Sequence, residues 1–114
     1  MNHPEGKMMC FDYSVDLSGT HDYDTLQQKL KQGFHLPYYY GGNLDALWDC
    51  LTDLVLSGKV KLTIRHFETV ERLDHDYAQK LYEVFADLKH YDDNAYLDKV
   101  HIFVETNGKM TEIQ

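Results

Sequence analysis

The sequence has few cysteines, and the two that it has form no recognisable motif. Cys10 and Cys50 lie far apart and show no CxxC or CxH spacing, which argues against a metal ribbon or a dithiol redox site. We expect both to be buried free thiols, because a protein of the reducing cytoplasm keeps its cysteines reduced. A Cys10–Cys50 disulfide is the alternative if the two side chains face each other across the core.

Catalytic and metal-binding motifs are also missing. The sequence has no GxSxG, P-loop or GxGxxG pattern, and its seven histidines show no HxxxH or HExxH spacing. Cys50 falls on the apolar side of its predicted helix, where a reactive thiolate is disfavoured. We therefore predict a protein that is not an enzyme and that needs no cofactor or metal. A small metal-dependent enzyme that uses the histidines is a lower-ranked alternative.

Long hydrophobic runs and excess positive charge are absent as well. No apolar run approaches the roughly 20 residues that a membrane-spanning helix needs, and MNHPEGKMM lacks the basic-then-apolar pattern of a secretion signal. We expect a cytoplasmic protein that does not contact a membrane. With 19 acidic and 11 basic residues, the formal net charge is -8, which opposes direct binding to nucleic acid. A cationic partner is favoured instead.

The hydrophobic pattern of the 114 residues predicts one α/β domain. Alternating apolar residues predict strands at residues 8–17, 59–65 and 99–105. Helical spacing predicts helices at 22–32, from the capping residue Asn43 onward, and at 74–91, with a short helical turn at 67–73. This order favours a three-stranded parallel sheet with helices packed around it and joined by right-handed crossovers. The core is expected at 8–105, followed by a polar, mobile tail at 106–114.

Local features add three expectations to this outline. Gly33 is suited to the left-handed residue that ends the first helix. The residues Asp92, Asp93 and Asn94 predict a polar turn before the last strand. In that strand Phe103 points away from its apolar neighbours, which suggests a sheet covered on part of both faces.

The most informative segment is LPYYYGGNLDALWDCLT, residues 36–52, in which a tyrosine-rich loop leads into a helix with an acidic face. Counting about 100° per residue places Asp45, Asp49 and Thr52 on one side of this helix and its leucines on the other, with Trp48 at the border. Taken alone, such aspartates are typical of the solvated face of an amphipathic helix. Of the three tyrosines, we expect at least one to pack within the loop.

This segment resembles the signature of the barstar family, the intracellular inhibitors of barnase-type ribonucleases. The shared pattern is a Leu-Pro, two tyrosines, a glycine and the run Asn-Leu-Asp-Ala-Leu-Trp-Asp, in that order. Over residues 8–105 the succession of elements and the hydrophobic pattern agree with the family. The resemblance implies a barstar-like α/β fold, which is the same three-stranded parallel sheet with surrounding helices.

The resemblance also implies that the loop and helix plug the active site of a ribonuclease. Asp49 then takes the place of an RNA phosphate, Asp45 is a second interfacial acid, and Tyr39 stacks near the catalytic histidine of the enzyme. Further family positions at or beside the contact surface are matched by Gly41, Asn43, Trp48 and Thr52. Asp87 falls where the family has an acidic residue late in the last long helix.

We therefore expect an inhibitor or immunity protein, as in a toxin–antitoxin pair, whose partner is a basic, barnase-like extracellular or toxin ribonuclease. The alternative is a barstar-fold interaction module that regulates a partner without nuclease activity. Three residues depart from the family pattern: Gly42 stands where an acid is common, Tyr38 replaces a polar or acidic residue, and Leu54 occupies a position that can be aromatic. These departures predict a retuned contact surface.

Overall fold

The computed structural model describes residues 9–91 and 99–114, so the turn predicted at Asp92, Asp93 and Asn94 lies outside the described residues. The first half of the described chain contains β1 (Met9–Asp16), α1 (Tyr23–Gly33), α2 (Leu44–Ser57) and β2 (Gly58–Arg65). The second half contains α3 (Glu68–Leu73), α4 (His75–Lys89), β3 (Val100–Thr106) and β4 (Lys109–Glu112). The predicted strands and helices are thus present, and their ends differ from the predicted ends by a few residues.

The four described strands form one sheet in the order β1-β2-β3-β4. β1 pairs with β2 and β2 with β3 in parallel, so that Val15, Ile64 and Val104 lie side by side. This confirms the predicted parallel core of an α/β fold. β4 pairs with β3 in the antiparallel sense. The sheet is therefore four-stranded and mixed, and the prediction of three parallel strands needs correction.

β4 occupies the segment that was expected to be a mobile tail. Asn107 and Gly108 have φ angles of 53° and 82° and turn the chain between β3 and β4, a conformation that an Asn-Gly pair adopts readily. Beyond β4, Ile113 is only 5% exposed and its N–H donates to the carbonyl of Ile102 at 2.8 Å. Residues 109–113 therefore belong to the sheet and its core, and the prediction of a mobile tail is wrong.

The helices cover one face of the sheet. Because β1, β2 and β3 follow one another in the same direction across the sheet, right-handed crossovers place their connecting helices on the same side. Along β2, the residues beneath the helices are buried, whereas Lys59, Lys61 and Arg65 on the other side are exposed. We call this side of the sheet, with its neighbours in register on β1 and β3, the open sheet face.

Phe103 lies on the open sheet face and is half-buried rather than covered by a helix. The ammonium group of Lys61 lies 5.5 Å from the centre of its ring, a favourable cation–π arrangement. The described helices do not cover this face, and whether it is covered in part stays a prediction, because residues 1–8 and 92–98 lie outside the described residues. A long basic side chain, rather than a second helical layer, shields this aromatic ring.

The hydrophobic core lies between the helices and the sheet. Phe34 and Phe85 are fully buried, and their rings meet edge to face with centres 6.0 Å apart. Other fully buried side chains include Leu17, Leu26, Leu30, Leu47, Leu51, Leu62, Ile64, Leu81, Leu88 and Ile102. Each such side chain stabilises the fold by about 1.5–3 kcal/mol relative to an exposed one. Within the described parts of the chain, no helix is both long and apolar enough to cross a membrane.

Gly33 has a different role from the one expected of it. It is the last residue of α1, and the left-handed conformation belongs instead to His35, with a φ of 54°. A Cβ atom at Gly33 would lie 2.3 Å from Cγ2 of Val15 and 2.9 Å from the carbonyl oxygen of Ser14. The prediction of a left-handed exit at Gly33 is wrong. Glycine is needed here because the end of α1 approaches β1 too closely for any side chain.

Candidate protein-interaction site

The site is built on the first turns of α2. Asn43 has extended φ and ψ angles, and its side-chain oxygen accepts the N–H of Ala46 at 2.8 Å, which confirms it as the helix cap. Asp45 lies in the first turn, where a negative charge interacts favourably with the helix dipole. Leu47 and Leu51 are fully buried beneath the helix. The start of α2 is therefore fixed both by its cap and by the core.

Three aspartates form the exposed side of α2: Asp45, Asp49 and Asp53. We call them the acidic face. In the part of the chain that the structure describes, no hydrogen bond or ion pair engages their carboxylates. Residues 36–57 contain no lysine, arginine or histidine, so the segment carries no charge of its own to neutralise them. The acidic face therefore presents three exposed carboxylates without an internal partner.

The three tyrosines of the preceding loop differ in exposure. Tyr38 is 90% exposed and Tyr39 68% exposed, and their rings contact edge to face with centres 5.6 Å apart. Tyr40 is half-buried, and its hydroxyl donates to Oε1 of Gln27 at 2.5 Å. Burial raises the pKa of the Tyr40 hydroxyl well above its ordinary value. One of the three tyrosines thus packs within the loop, as predicted, and two are presented to solvent.

Tyr39, Gly41 and Asp49 are brought together around one shallow cleft of about 240 Å³, which Tyr40, Ala46 and Cys50 complete. A second cleft of about 220 Å³ shares Tyr39 and Cys50 and reaches Asp53 and Leu54. Tyr39 therefore stands between the two clefts, next to the middle of the acidic face.

Cys50 forms part of the floor of both clefts. It is buried, and burial together with Asp53 and Asp49 raises the pKa of its thiol, so the unreactive protonated form is favoured. Cys10 is exposed, and no disulfide joins it to Cys50. The prediction that both cysteines are buried is therefore wrong for Cys10.

Asp45 faces a third and larger cleft, of about 500 Å³, between α1, α2 and α4. Gly42 and Asn43 line it from the loop, and its other walls are Tyr23, Asp24, Gln27, Leu44, Tyr77 and Lys80. Gly42 has a φ of 74°, a conformation that residues with a side chain rarely adopt. Asp45 and Asp49 thus border different clefts on either side of the capped start of α2.

Trp48, Thr52 and Asp87 lie outside these three clefts. Trp48 is half-buried, as its border position predicts, and its ring meets that of Tyr91 edge to face at 5.4 Å. Thr52 is only 8% exposed and its hydroxyl donates to the carbonyl of Asp49 at 3.0 Å. The expected position of Thr52 on the solvated side is therefore wrong. Asp87 is exposed on α4, which packs against α2.

Gln27 and Tyr77 were not among the predicted site residues, although both contact the site. Gln27 accepts the hydrogen bond from Tyr40 and donates one to the hydroxyl of Tyr77 at 2.9 Å. In the sequence, Gln27 is 13 positions from Tyr40 and 50 positions from Tyr77. No sequence pattern signals contacts over such separations. Among residues 9–91 and 99–114, no group of three or more His, Cys, Asp or Glu side chains could hold a metal ion.

Two comparisons with known proteins bear on the family of the chain. The model of the family described as barstar (barnase inhibitor) matches residues 11–105. The chain belongs to the barstar family. The matched range covers β1 to β3 almost completely and leaves out β4. The chain is also 40% identical over 67 residues to "Putative ribonuclease inhibitor YrdF" of Bacillus subtilis (strain 168), an alignment that covers 56% of this chain and 69% of that protein. The resemblance seen in residues 36–52 is thereby confirmed.

Proposed function

We propose that this barstar-family protein inhibits a barnase-like ribonuclease by placing α2 and the loop before it in the active site of the enzyme. The family is described as a barnase inhibitor, and a relative carries the name of a ribonuclease inhibitor. In this proposal Asp49 occupies the position of an RNA phosphate, and Asp45 binds a second cationic group of the enzyme.

The observation that carries the proposal is the setting of Asp49. Its carboxylate is exposed at the middle of the acidic face, and it lines the same cleft as Tyr39 and Gly41. A ribonuclease must hold phosphate, so its site presents arginine, lysine and histidine in a concave surface. A carboxylate on a rigid helix can accept the same hydrogen bonds as a phosphate, since both are anionic acceptors with several lone pairs.

The neighbouring residues fit supporting roles in such a complex. Tyr39 is exposed and held at the edge of the cleft, so its ring is free to stack on a ring of the partner. Trp48 is half-buried against Tyr91 and fixes the side of α2 next to Asp49. Thr52 supports the helix from within rather than contacting the partner. Mimicry of phosphate requires charge and reach and no bond-making, so the proposed activity is inhibition rather than catalysis.

The net charge supports the same kind of partner. A formal charge of -8 attracts a basic protein over distances of about 10 Å or more at low salt. An RNA partner would be repelled by the same charge. The proposed partner is therefore a basic ribonuclease that carries its own phosphate-binding site.

Titration calorimetry and an RNA-cleavage assay test the proposal, with Asp49→Ala and Asp53→Ala as a matched pair. Both variants remove one exposed carboxylate from the same helix, so they alter net charge equally. We expect Asp49→Ala to weaken binding by about 3–5 kcal/mol, as is typical when one member of a buried charge pair is removed, and Asp53→Ala to have a much smaller effect. Thermal unfolding of both variants should remain close to wild type, because neither carboxylate has an internal partner.

Equal losses for the two variants would contradict the assignment of Asp49. Co-expression provides the cellular counterpart: the wild-type chain should restore growth to cells that produce a barnase-like ribonuclease, and Asp49→Ala should not. If the chain instead binds a partner that has no phosphate-binding pocket, the regulatory module is the correct function.

A further inference from the structure

A chain of three polar side chains connects the loop before α2 to two other helices. The hydroxyl of Tyr40 donates to Oε1 of Gln27 at 2.5 Å, and Nε2 of Gln27 donates to the hydroxyl of Tyr77 at 2.9 Å. Tyr40 lies in the loop, Gln27 on α1 and Tyr77 on α4. A single amide group therefore joins three separate parts of the chain.

The three side chains are half-buried. Burial is the main cause that raises the pKa of both tyrosine hydroxyls, because an ionised phenolate would lose contact with water. Hydrogen bonds in such partly desolvated surroundings are stronger, and more costly to break, than those on an open surface. The chain is therefore suited to hold the loop in one conformation.

The helices at the far end of this chain are themselves tied together. The hydroxyl of Tyr23 on α1 donates to the carboxylate of Asp74, and the other carboxylate oxygen accepts the N–H of Tyr77 at 3.0 Å. The rings of Tyr23 and Tyr77 also meet edge to face, with centres 5.5 Å apart. Gln27 thus lies on a helix whose side chains are linked to α4 at two further points, and Tyr40 is attached to that linked pair.

Tyr40 occupies the point in the loop where fixing matters most for the site. It directly follows the exposed Tyr39, and its N–H donates to the carbonyl of Pro37 at 3.0 Å to close a turn. Two residues later the chain passes through the left-handed Gly42 into the helix cap at Asn43. An anchor at Tyr40 therefore limits the movement of both Tyr39 and the start of α2.

We infer that Tyr40, Gln27 and Tyr77 are positioning residues, which hold loop residues 36–43 in the conformation that binds the partner. The inference rests on the proposed function, because positioning affects affinity only if a partner contacts Tyr39 and Asp49. A loop ordered in advance loses little conformational entropy on binding, and affinity rises accordingly. Through Tyr40, the side chains of Gln27 and Tyr77 thus act on Tyr39 and Asp49, whose cleft neither of them lines.

The test compares variants that lose hydrogen bonds with little change in shape. Tyr40→Phe removes one bond of the chain, and Gln27→Met removes both. The matched control is Thr69→Val, which removes the hydrogen bonds from the Thr69 hydroxyl to the carbonyls of Leu17 and His66, each at 2.9 Å, at a buried position away from the loop. For each variant we would measure stability in urea, binding to a barnase-like ribonuclease, and hydrogen exchange of the Tyr40 and Ala46 amides in the free protein.

All three variants should lose some stability, since each loses side-chain hydrogen bonds. Only Tyr40→Phe and Gln27→Met should weaken binding, by about five-fold, the equivalent of one ordinary hydrogen bond, and only they should speed exchange at the amide of Tyr40. A variant that combines Tyr40→Phe with Gln27→Met should bind no more weakly than Gln27→Met alone, because Gln27→Met by itself already removes the hydrogen bond from Tyr40.

Two results would overturn the inference. The first would be that Tyr40→Phe and Gln27→Met lose as much stability as Thr69→Val but leave hydrogen exchange at the amides of Tyr40 and Ala46 unchanged. This measurement uses the free protein and needs no partner. The second is faster exchange with unchanged affinity for a ribonuclease that the wild-type chain binds. If the wild-type chain binds no ribonuclease, the proposed function fails, while faster exchange in the variants still supports the anchoring of the loop.

Discussion

The acidic face of α2 and the open sheet face are both exposed and both carry several charges, but only on the open sheet face do charges of opposite sign lie next to each other. On the open sheet face, Asp12 lies opposite Lys61 in the strand register, and Arg65 lies between Asp16 and Glu105, with its Nε 3.5 Å from the Glu105 carboxylate. On the acidic face, no internal group of the described chain pairs with the carboxylates.

This difference separates charge that belongs to the fold from charge that is available to a partner. Pairs of opposite charge on the open sheet face cancel one another at a distance, so they attract no particular ligand. The carboxylates of the acidic face have no ion-pair partner in the described chain, and residues 36–57 carry no cation. Exposure is common to both surfaces, whereas unpaired charge of one sign on a capped helix is found on the acidic face and is the reason that we propose it as the binding surface.

Reversing one charge on each surface should give the largest contrast. Asp49→Lys places a cation against the cationic site of the proposed ribonuclease, and we expect a loss of about 4 kcal/mol or more, roughly a thousand-fold in Kd. Asp12→Lys changes net charge by the same amount on the open sheet face and should change Kd only a few-fold. Calorimetric titration of both variants against one ribonuclease measures the contrast. Equal losses would mean that net charge, rather than position, controls binding.

A smaller effect should separate attraction at a distance from direct contact. Asp53→Asn removes a carboxylate at the margin of the acidic face, so we expect the association rate to fall a few-fold at low salt and the dissociation rate to stay constant. The difference from wild type should disappear as salt shortens the range of the field. Stopped-flow measurements at several ionic strengths provide the check. A faster dissociation of Asp53→Asn would instead place Asp53 within the contact.

The carboxylates that stabilise the fold lie away from the acidic face. Protonating them at low pH should lower the stability of the protein. The N–H of Asn107 donates to Glu68 at 2.8 Å and, with further help from His66, holds the pKa of Glu68 below its usual range. Because the folded-state pKa is lowered, this stabilisation is complete above the unfolded-state pKa and is lost as pH falls through the folded-state pKa.

Glu68→Gln should therefore make stability depend less steeply on pH between about pH 5 and pH 2. Urea unfolding at a series of pH values measures this slope, and Asp49→Ala serves as the control that should leave it unchanged. If the stability of Glu68→Gln depends on pH as steeply as that of the wild type, Glu68 does not contribute to the loss of stability in acid.

The smallest effect should come from the open sheet face itself. Lys61→Met removes the cation above Phe103 and the charge opposite Asp12, and we expect a loss of about 0.5–1 kcal/mol in stability. Affinity for the ribonuclease should not change. A clear change in affinity would mean that the partner also reaches this side of the sheet.

Much of the fold could be predicted because it depends on repeating patterns. The alternation in β2 and the apolar stripe of α4 each fix which side of an element is buried, and the cap at Asn43 marks where α2 begins. β4 carried a signal too, since Asn107-Gly108 is a strong hairpin pattern. Its polar residues Lys109–Glu112 gave no alternation that would indicate a strand.

The site was predictable only where residues follow the helix period. The positions of Asp45 and Asp49 follow from counting along α2, but Thr52 shows the limit of that count, because neighbouring elements bury it. The requirement for glycine at Gly33 depends on the packing distance to Val15, which no local pattern contains. For the same reason, the bonds from Gln27 to Tyr40 and Tyr77 could be found only in the folded structure.

The arrangement of the described helices on one side of the sheet has a practical consequence. A protein docked on the acidic face would leave the opposite side of the sheet in water, so strands such as β2 and β4 offer positions for a dye or a surface linker. A chain attached to a sensor through that side would present α2 outward. An antibody against the open sheet face would then recognise the free and the partner-bound protein equally well.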